Sequence, residues 1–498
     1  MKEEKSKDLL RGERLAPMPN EVLAYTSSIK FDIPIAKHVV DINKAHVLML
    51  LKKKIIPECD AAAILKVLNK LSFESIDAEG CEDIHVLLEK RVIEALGEES
   101  GGKIHVAKSR NDQVATALRM ELRLLILKIV EALIKLRKTL IDIAKKHSGT
   151  VMPGYTHLQQ AQPVTLGHYL IAHHDAFERD TERLKSSFLR INRSPMGSGA
   201  LATTTFEIDR EFTAELLGFE GLIENSIDAV SDRDFAVETL GNLSLISVHL
   251  SRLAEELILW STSEFSIVKI SDEYVSTSSI MPQKRNPEVA ELIRARSAHI
   301  IGSLITSLTI LKGLPLSYNS DLQEITSHLW DSCKTTLSSM NMMIGMLESL
   351  KFDEKLLYKR VSESFSLATD IADMLVSQYG FPFRTAHRIV GDLVFRMISE
   401  GKKPSEITAD LIKKEIEKTT GKIIDIEASL LKKILSPEFN VERRGVIGGP
   451  SPNEVLRMCK DRDCKILRDE EWVKEKLTHL AQAEKRLNTL INEVVRRC

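Results

Sequence analysis

An excess of charge of either sign is missing from this 498-residue chain: 69 Lys and Arg stand against 71 Asp and Glu, leaving a formal charge of -2. That balance gives no overall attraction to nucleic acid or to an anionic membrane. Six cysteines occur (Cys59, Cys81, Cys333, Cys459, Cys464 and Cys498), none in a Cys-x-x-Cys pair. No histidine cluster accompanies Cys459 and Cys464 to complete a zinc site, so no metal is expected and the thiols read as the reduced ones of a cytoplasmic protein. No apolar run reaches the length of about 18 residues that a membrane span needs. The charged start, Met1 to Asp8, lacks the apolar core of a secretory signal. Glycine and proline are also scarce, at 23 and 15, and long stretches contain neither.

What fills those stretches is helical periodicity. From Asn111 to His147 there is no glycine or proline, and Leu118, Leu122, Leu125, Ile129, Leu133, Leu136, Leu140 and Ile143 recur at steps of three or four. That spacing marks one continuous helical face, about 50 Å long at 1.5 Å per residue. Comparable stretches run from Gln162 to Asn192 (with Pro163 suited to a first turn), Asp228 to Ser263, Pro287 to Leu311 and Gln323 to Leu350. Five long helices in series form an elongated bundle. The expected fold is all-α: an N-terminal helical domain over 1–111, a central bundle over 112–351 and a C-terminal helical domain over 352–498. The last of these holds the turn-rich Gly445 to Pro452 and then a charged helix from Asp469 onward. Bundle faces left over invite burial against other subunits.

The interruptions between the long helices are where chemistry belongs, since loops on a rigid scaffold build sites. Ser278 to Pro287 reads Ser-Ser-Ile-Met-Pro-Gln-Lys-Arg-Asn-Pro. Ser278 and Ser279 supply hydroxyls, Lys284 a cation and Asn286 an amide, with Pro282 and Pro287 stiffening the flanks. A hydroxyl becomes a useful base when a cation and preorganised donors stabilise its anion, a combination suited to removing a proton beside a carboxylate. A serine-rich loop that caps a helix has the same pattern. At the start of the first long helix, Ser109, Arg110 and Asn111 offer a bidentate guanidinium and neutral donors where a helix N-terminus favours an anion; capping with a surface arginine is the alternative. In Gly154-Tyr-Thr-His-Leu-Gln-Gln-Ala-Gln-Pro, His157 is the group able to exchange protons near neutral pH, with Thr156 beside it.

Ser-Ser-x-Met-Pro-x-Lys-x-Asn-Pro resembles the signature of the fumarase/aspartase superfamily, and Ser-Arg-Asn-Asp-Gln-Val-Ala-Thr (from Ser109) resembles its argininosuccinate lyase branch. The resemblance covers roughly Asn20 to Pro450. It implies that Ser278 is the base, that Lys284 and Asn286 hold a substrate carboxylate and the aci-carboxylate formed from it, and that His157, with Thr156, is the acid–base partner on the leaving side. Which of Ser278 and His157 is acid and which is base stays open in the sequence. Glu82-Asp-Ile-His85 resembles a block whose histidine approaches the substrate. Tyr318 and Gln323, in Tyr-Asn-Ser-Asp-Leu-Gln-Glu, correspond to contacts with the arginine-derived half. Ser28 and Asp32, in Ser-Ser-Ile-Lys-Phe-Asp, correspond to contacts with the amino-acid end and the guanidinium. Asp232, Arg233 and Asp234 are expected to form structural ion pairs near the site.

The activity so implied is reversible β-elimination of argininosuccinate to arginine and fumarate, as in arginine biosynthesis. It is implied to run in a homotetramer whose sites are shared between subunits, without metal or organic cofactor, because fixed protein groups stabilise the charge. The chain departs from the branch at several places. Thr277 stands where glycine usually precedes the serine pair, and Val106-Ala-Lys108 replaces Thr-Gly-Arg. Thr326 stands where lysine is common, and Leu10 to Leu15 replaces a Trp-Gly-Gly-Arg-Phe stretch. Two other readings use the same residues: a lyase for another succinyl-bearing substrate such as adenylosuccinate, and a catalytically silent structural relative.

Overall fold

A computed structural model describes residues 16, 18–71 and 81–497; the departure at Leu10 to Leu15 lies outside them. Helices dominate. The N-terminal part contributes α1 (Ala36–Lys52) and α2 (Ile84–Gly101). The five long helices are α3 (Arg110–Lys146), α4 (Leu166–Ile191), α5 (Asp234–Ser261), α6 (Glu288–Leu311) and α7 (Asp321–Glu348). After them come α8 (Glu354–Ser362), several shorter helices, and α9 (Pro452–Arg497). Among the described residues the strands pair as three two-stranded ladders, all in the connections of the bundle: β1 (Val151–Thr156) with β2 (Gln159–Thr165), β3 (Val268–Lys269) with β6 (Lys351–Phe352), and β4 (Ser276–Thr277) with β5 (Arg285–Asn286).

The all-α bundle is as expected, with boundaries corrected by packing. The helix expected from Gln162 begins at Leu166 instead, because Pro163 sits in β2 opposite Pro153. Neither proline has an N–H to donate, so this rung of the hairpin loses nothing by pairing them. The helix expected from Asp228 begins at Asp234, after a separate short helix at Ser226–Ser231. The charged C-terminal helix starts at Pro452, well before Asp469, and runs for 46 residues.

Alternation of direction sets where each connection lies. Arg119, near the start of α3, donates to the Arg190 carbonyl at the end of α4 (2.8 Å) and stacks 3.9 Å over the Phe235 ring at the start of α5. At the other end Gly167 opens α4 so close to α3 that a Cβ would lie 2.5 Å from the Ala144 carbonyl oxygen. Trp260, closing α5, packs 5.2 Å from Tyr169 on α4. Arg294 at the start of α6 reaches back to Glu255 (2.5 Å), and Thr139 of α3 meets Glu348 at the end of α7 (3.5 Å). The bundle therefore has an upper end, where α3, α5 and α7 begin, and a lower end, where α4 and α6 begin. α3 is 37 residues long, so the ends are about 55 Å apart along it.

α3 is buried around most of its circumference. Besides most of the predicted stripe, with Leu125 and Ile143 only partly buried, Ile126, Val130, Ile134 and Ile141 are buried, because α1, α4, α7 and α9 pack on different sides. α9 shares the main core through Val455, Ile466, Val473 and Leu487, whereas residues 371–434 enclose a second core of their own. Charged groups fasten α9 in place. Arg137 of α3, fully buried, donates to Asp469 of α9 (2.6 Å) and to Thr181 of α4 (3.3 Å), with Glu178 at 3.6 Å. Arg462 clasps Asp175, and Lys185 joins Asp469 at 2.7 Å. Truncating one partner of such a buried pair strands the others. Arg137→Ala should lower unfolding stability by about 3–5 kcal/mol, read as a shift in the urea midpoint; an unchanged midpoint would show that α9 does not depend on this joint.

Candidate active site

The upper end collects eight of the residues singled out from the sequence. Ser109 caps α3: its hydroxyl accepts the Asn111 N–H (3.3 Å) while Asp112 accepts the Ser109 N–H (3.1 Å), a capping box. Asp112 does more than cap. Its other oxygen accepts the N–H groups of Gly197 (3.1 Å) and Gly199 (2.9 Å), tying the Gly197-Ser-Gly-Ala loop beneath the helix start. Asn111 reaches the Ala200 carbonyl of the same loop (3.1 Å). Arg110 donates to Asp83 (2.7 Å) and Glu82 (3.1 Å) at the start of α2. Ser28 donates to Asp32 (2.9 Å), and Asp32 also accepts the Ile84 N–H (3.2 Å). Gln323 donates to the Thr26 carbonyl (3.0 Å) and Trp330 to the Phe31 carbonyl (3.2 Å), so α7 clamps the segment bearing Ser28 and Asp32. Thr326, one turn after Gln323, is buried inside this clamp.

The electrostatics of this end are set by burial. Asp32 is pushed up to about 7, by desolvation first, with the Ser28 and Ile84 hydrogen bonds and Arg110 pulling the other way and Asp83 adding to the rise. Asp112 is likewise raised by burial to about 6, against its backbone donors. His85 is buried and held down to about 4 by desolvation, so it is a neutral imidazole at physiological pH. Neither of its ring nitrogens makes a well-formed hydrogen bond; the Gln113 amide lies beside the ring without the geometry of one. The half-buried Tyr318 hydroxyl has its pKa raised by desolvation and pulled back by the guanidinium groups of Arg233 and Arg110. The expected ion pairs at Asp232 to Asp234 do not form. Arg233 is fully buried and donates to the carbonyls of Asp232 (2.8 Å) and Val230 (3.4 Å), while Asp232 accepts the Asp234 N–H (2.9 Å). Backbone oxygens at the turn into α5 capture the guanidinium before any carboxylate can.

The remaining five residues lie at the lower end. Thr156 pairs with Gln159 across a two-residue turn in which His157 and Leu158 have φ of 54° and 58°. Both positive angles are those of a type I′ hairpin turn, usually built with Asn and Gly. Holding His157 there costs about 1–2 kcal/mol, and it projects the exposed imidazole beyond the bundle with no hydrogen-bond partner among the described residues. In the second loop, Ser276 pairs with Asn286 and Thr277 with Arg285. Thr277 is ordinary strand residue there, with no positive φ, so the place usually taken by glycine accepts it without strain. Ser278 follows at once, and its hydroxyl oxygen accepts the N–H groups of Met281 (3.2 Å) and Ile280 (3.4 Å). Lys284 is exposed on the far side of the turn, and Arg285 roots it by pairing with Asp272 and donating to the Ile270 carbonyl (3.0 Å). Within one chain the two sets do not meet: Ser28, Asp32, His85, Ser109, Arg110, Asn111, Tyr318 and Gln323 stand at one end of the bundle, and Thr156, His157, Ser278, Lys284 and Asn286 at the other.

Ala107 departs from the branch pattern at a structural cost. It has φ of 61°, the left-handed region that the usual glycine enters freely. Sequence reasoning passed over Asp112 as a tether; the Ser-x-x-Asp spacing of a capping box was the signal that could have found it.

Residues 12–302 match the model of a lyase family, and residues 365–441 match the model of the argininosuccinate lyase C-terminal region. The argininosuccinate lyase of Methanocaldococcus jannaschii is 45% identical over 475 residues, covering 94% of this chain and 97% of that protein. That of Methanothrix thermoacetophila is 45% identical over 488 residues, covering 98% and 99%. The chain belongs to the argininosuccinate lyase family. Among solved structures, an EDDS lyase in complex with formate superposes with a TM-score of 0.87 at 30% identity, covering 97% of each chain. A class II fumarase from Schistosoma mansoni, with a TM-score of 0.69 at 18% identity over 82% of this chain and 90% of that one, shares the fold.

The buried state of His85 is open to measurement. Its imidazole should stay neutral at pH 6 in a 15N spectrum of the ring nitrogens, charging only toward pH 4. A ring titrating near 6.5 would mean that water reaches it.

Proposed function

We propose that the protein catalyses the reversible β-elimination of argininosuccinate to arginine and fumarate. The observation that carries the chemistry is the Ser278 hydroxyl seated on two backbone N–H groups. An alkoxide at that oxygen inherits both hydrogen bonds, which is how a weak acid becomes a competent base. Ser278 takes the proton from the carbon beside a succinyl carboxylate, leaving that carboxylate as a dianionic aci form. Lys284 neutralises the added charge and Asn286 holds the carboxylate. The electron pair then collapses into the carbon–carbon double bond of fumarate as the carbon–nitrogen bond breaks. The departing guanidine nitrogen takes a proton from His157, with Thr156 orienting the exchange, and arginine leaves.

Substrate choice rests on the upper end. Asp32 offers a carboxyl to a guanidinium, Ser28, Tyr318 and Gln323 offer neutral hydrogen bonds, and Arg110 and the start of α3 favour a carboxylate. These groups and the Ser278 loop stand a helix length apart in one chain, so the reading requires sites assembled between subunits. A homotetramer that brings the upper end of one chain against the lower ends of others supplies them, working in the cytoplasm. The free thiols of Cys59, Cys81, Cys333, Cys459 and Cys464 suit that compartment, and among the described residues no helix is long and apolar enough to cross a membrane.

Purified protein given argininosuccinate should release fumarate, followed by its ultraviolet absorbance, and Ser278→Ala should lower the rate by about 10²–10⁴-fold. Turnover of adenylosuccinate in preference would overturn the substrate assignment, and a fully active Ser278→Ala would remove it as the base. Mixing an inactive Ser278→Ala protein with an inactive Arg110→Ala protein, after partial unfolding and reassembly, should restore a fraction of the activity; none at all would argue against shared sites.

A proton balance tests Asp32 separately. Free, it titrates at about 7; a bound guanidinium favours the carboxylate and pulls that value down. Arginine binding at pH 6 to 7 should therefore release a proton, up to one per site, measured by calorimetry in buffers of different ionisation enthalpy. Asp32→Asn should abolish the release. Because burial raises the folded value above the ordinary one near 3.8, the folded state holds more protons, so this carboxyl lowers unliganded stability as pH rises from about 4 to 7.

A further inference from the structure

Beside the root of the Ser278 loop lies a hollow of about 590 Å³ lined by Lys269, Lys351, Lys355, Val268, Phe352 and Ser266, together with Asp353 and Glu354. Its charge pattern is unusual. In the β3–β6 ladder Lys269 stands directly opposite Lys351, which places their Cβ atoms about 5 Å apart on one face, an arrangement that like charges disfavour. The register leaves no choice: Val268 is buried and its partner Phe352 packs edge-on against His147 at 5.2 Å, so the two lysines must share the outward face. Lys355, from the first turn of α8, lines the same hollow.

Among the described residues no carboxylate pairs with these cations, although Asp353 and Glu354 also line the hollow. Asp353 accepts the Leu356 N–H (2.9 Å) as the cap of α8, and Glu354 reaches His147 (3.3 Å). Asp272 feels both Lys269 and Lys351, but its carboxylate is held by Arg285. Among the described residues none of the three lysines has an ion-pair partner.

We infer that this hollow is a binding site for a compact dianion of the phosphate type, held by Lys269, Lys351 and Lys355. A bound dianion cancels the cross-strand repulsion and so firms the ladder that joins the segment leading into the Ser278 loop to the end of α7. The site stands apart from the proposed reaction, and none of its residues takes part in the chemistry described above.

The test uses the full-length protein and inorganic phosphate against chloride at matched ionic strength. Calorimetry should show saturable phosphate binding at this site. At 10 times the dissociation constant the thermal midpoint should rise by about 2 °C over the chloride control. In Lys269→Gln/Lys351→Gln that rise should disappear, while the midpoint in chloride stays at or above that of the parent because the like-charge pair is gone. Lys355→Gln, which leaves the ladder untouched, should weaken phosphate binding several-fold. Phosphate binding that is absent from the parent, or that persists unchanged in both variants, would overturn the assignment.

Discussion

A helix rises 1.5 Å per residue, and five helices of 24 to 37 residues laid antiparallel leave every connection at one of two distant ends. The rest of the molecule follows from that geometry. The strained His157 turn and the Ser278 loop fall at the end where α4 and α6 begin. The start of α3, the Gly197 loop and Tyr318 fall at the other. A rigid rod between them leaves no route by which one chain could fold its own halves together, and it holds each half to a defined shape. The Arg137 joint with Asp469, Glu178 and Thr181 keeps α3, α4 and α9 in register, so positions at one end are set relative to those at the other.

The two ends use different physics. The upper end is buried and over-determined: Asp112 holds a loop by two amides, Asp32 organises Ser28 and the start of α2, and desolvation moves both carboxyls upward. In the function proposed above, these groups already in place serve recognition of a guanidinium or a carboxylate. The lower end is exposed and light. His157 and Lys284 project from tight turns, and Ser278 is oriented by its own loop. In the proposed shared site another surface covers these groups, and the exclusion of water strengthens every charge interaction there.

Where sequence reading and structure part, a competing interaction is the reason. Pro163 suits a helix start by its fixed φ, but the hairpin partner Pro153 decides otherwise. The acidic neighbours of Arg233 suggest ion pairs, yet the carbonyls of the turn are nearer and fixed. Thr277 looks awkward beside the glycine it replaces, but the strand pairing with Arg285 gives it extended angles in which any residue is at ease. Ala107 is the reverse case: a substitution that looks mild and pays strain at φ of 61°.

Periodicity and the near absence of glycine and proline determined the helices, because an apolar residue every third or fourth position has one low-energy use. The Ser278 to Pro287 motif pointed to the reaction class through its resemblance to the superfamily signature, because its spacing alone fits a helix-capping loop equally well. Tertiary structure alone decided which residues meet. Helix direction, set by packing contacts such as Arg119 on Arg190 and Phe235, sorts the thirteen candidate residues into two groups a helix length apart. Burial, which no single residue carries in its own sequence, decides that Asp32 titrates near neutrality, that His85 stays uncharged and that α9 belongs to the main core.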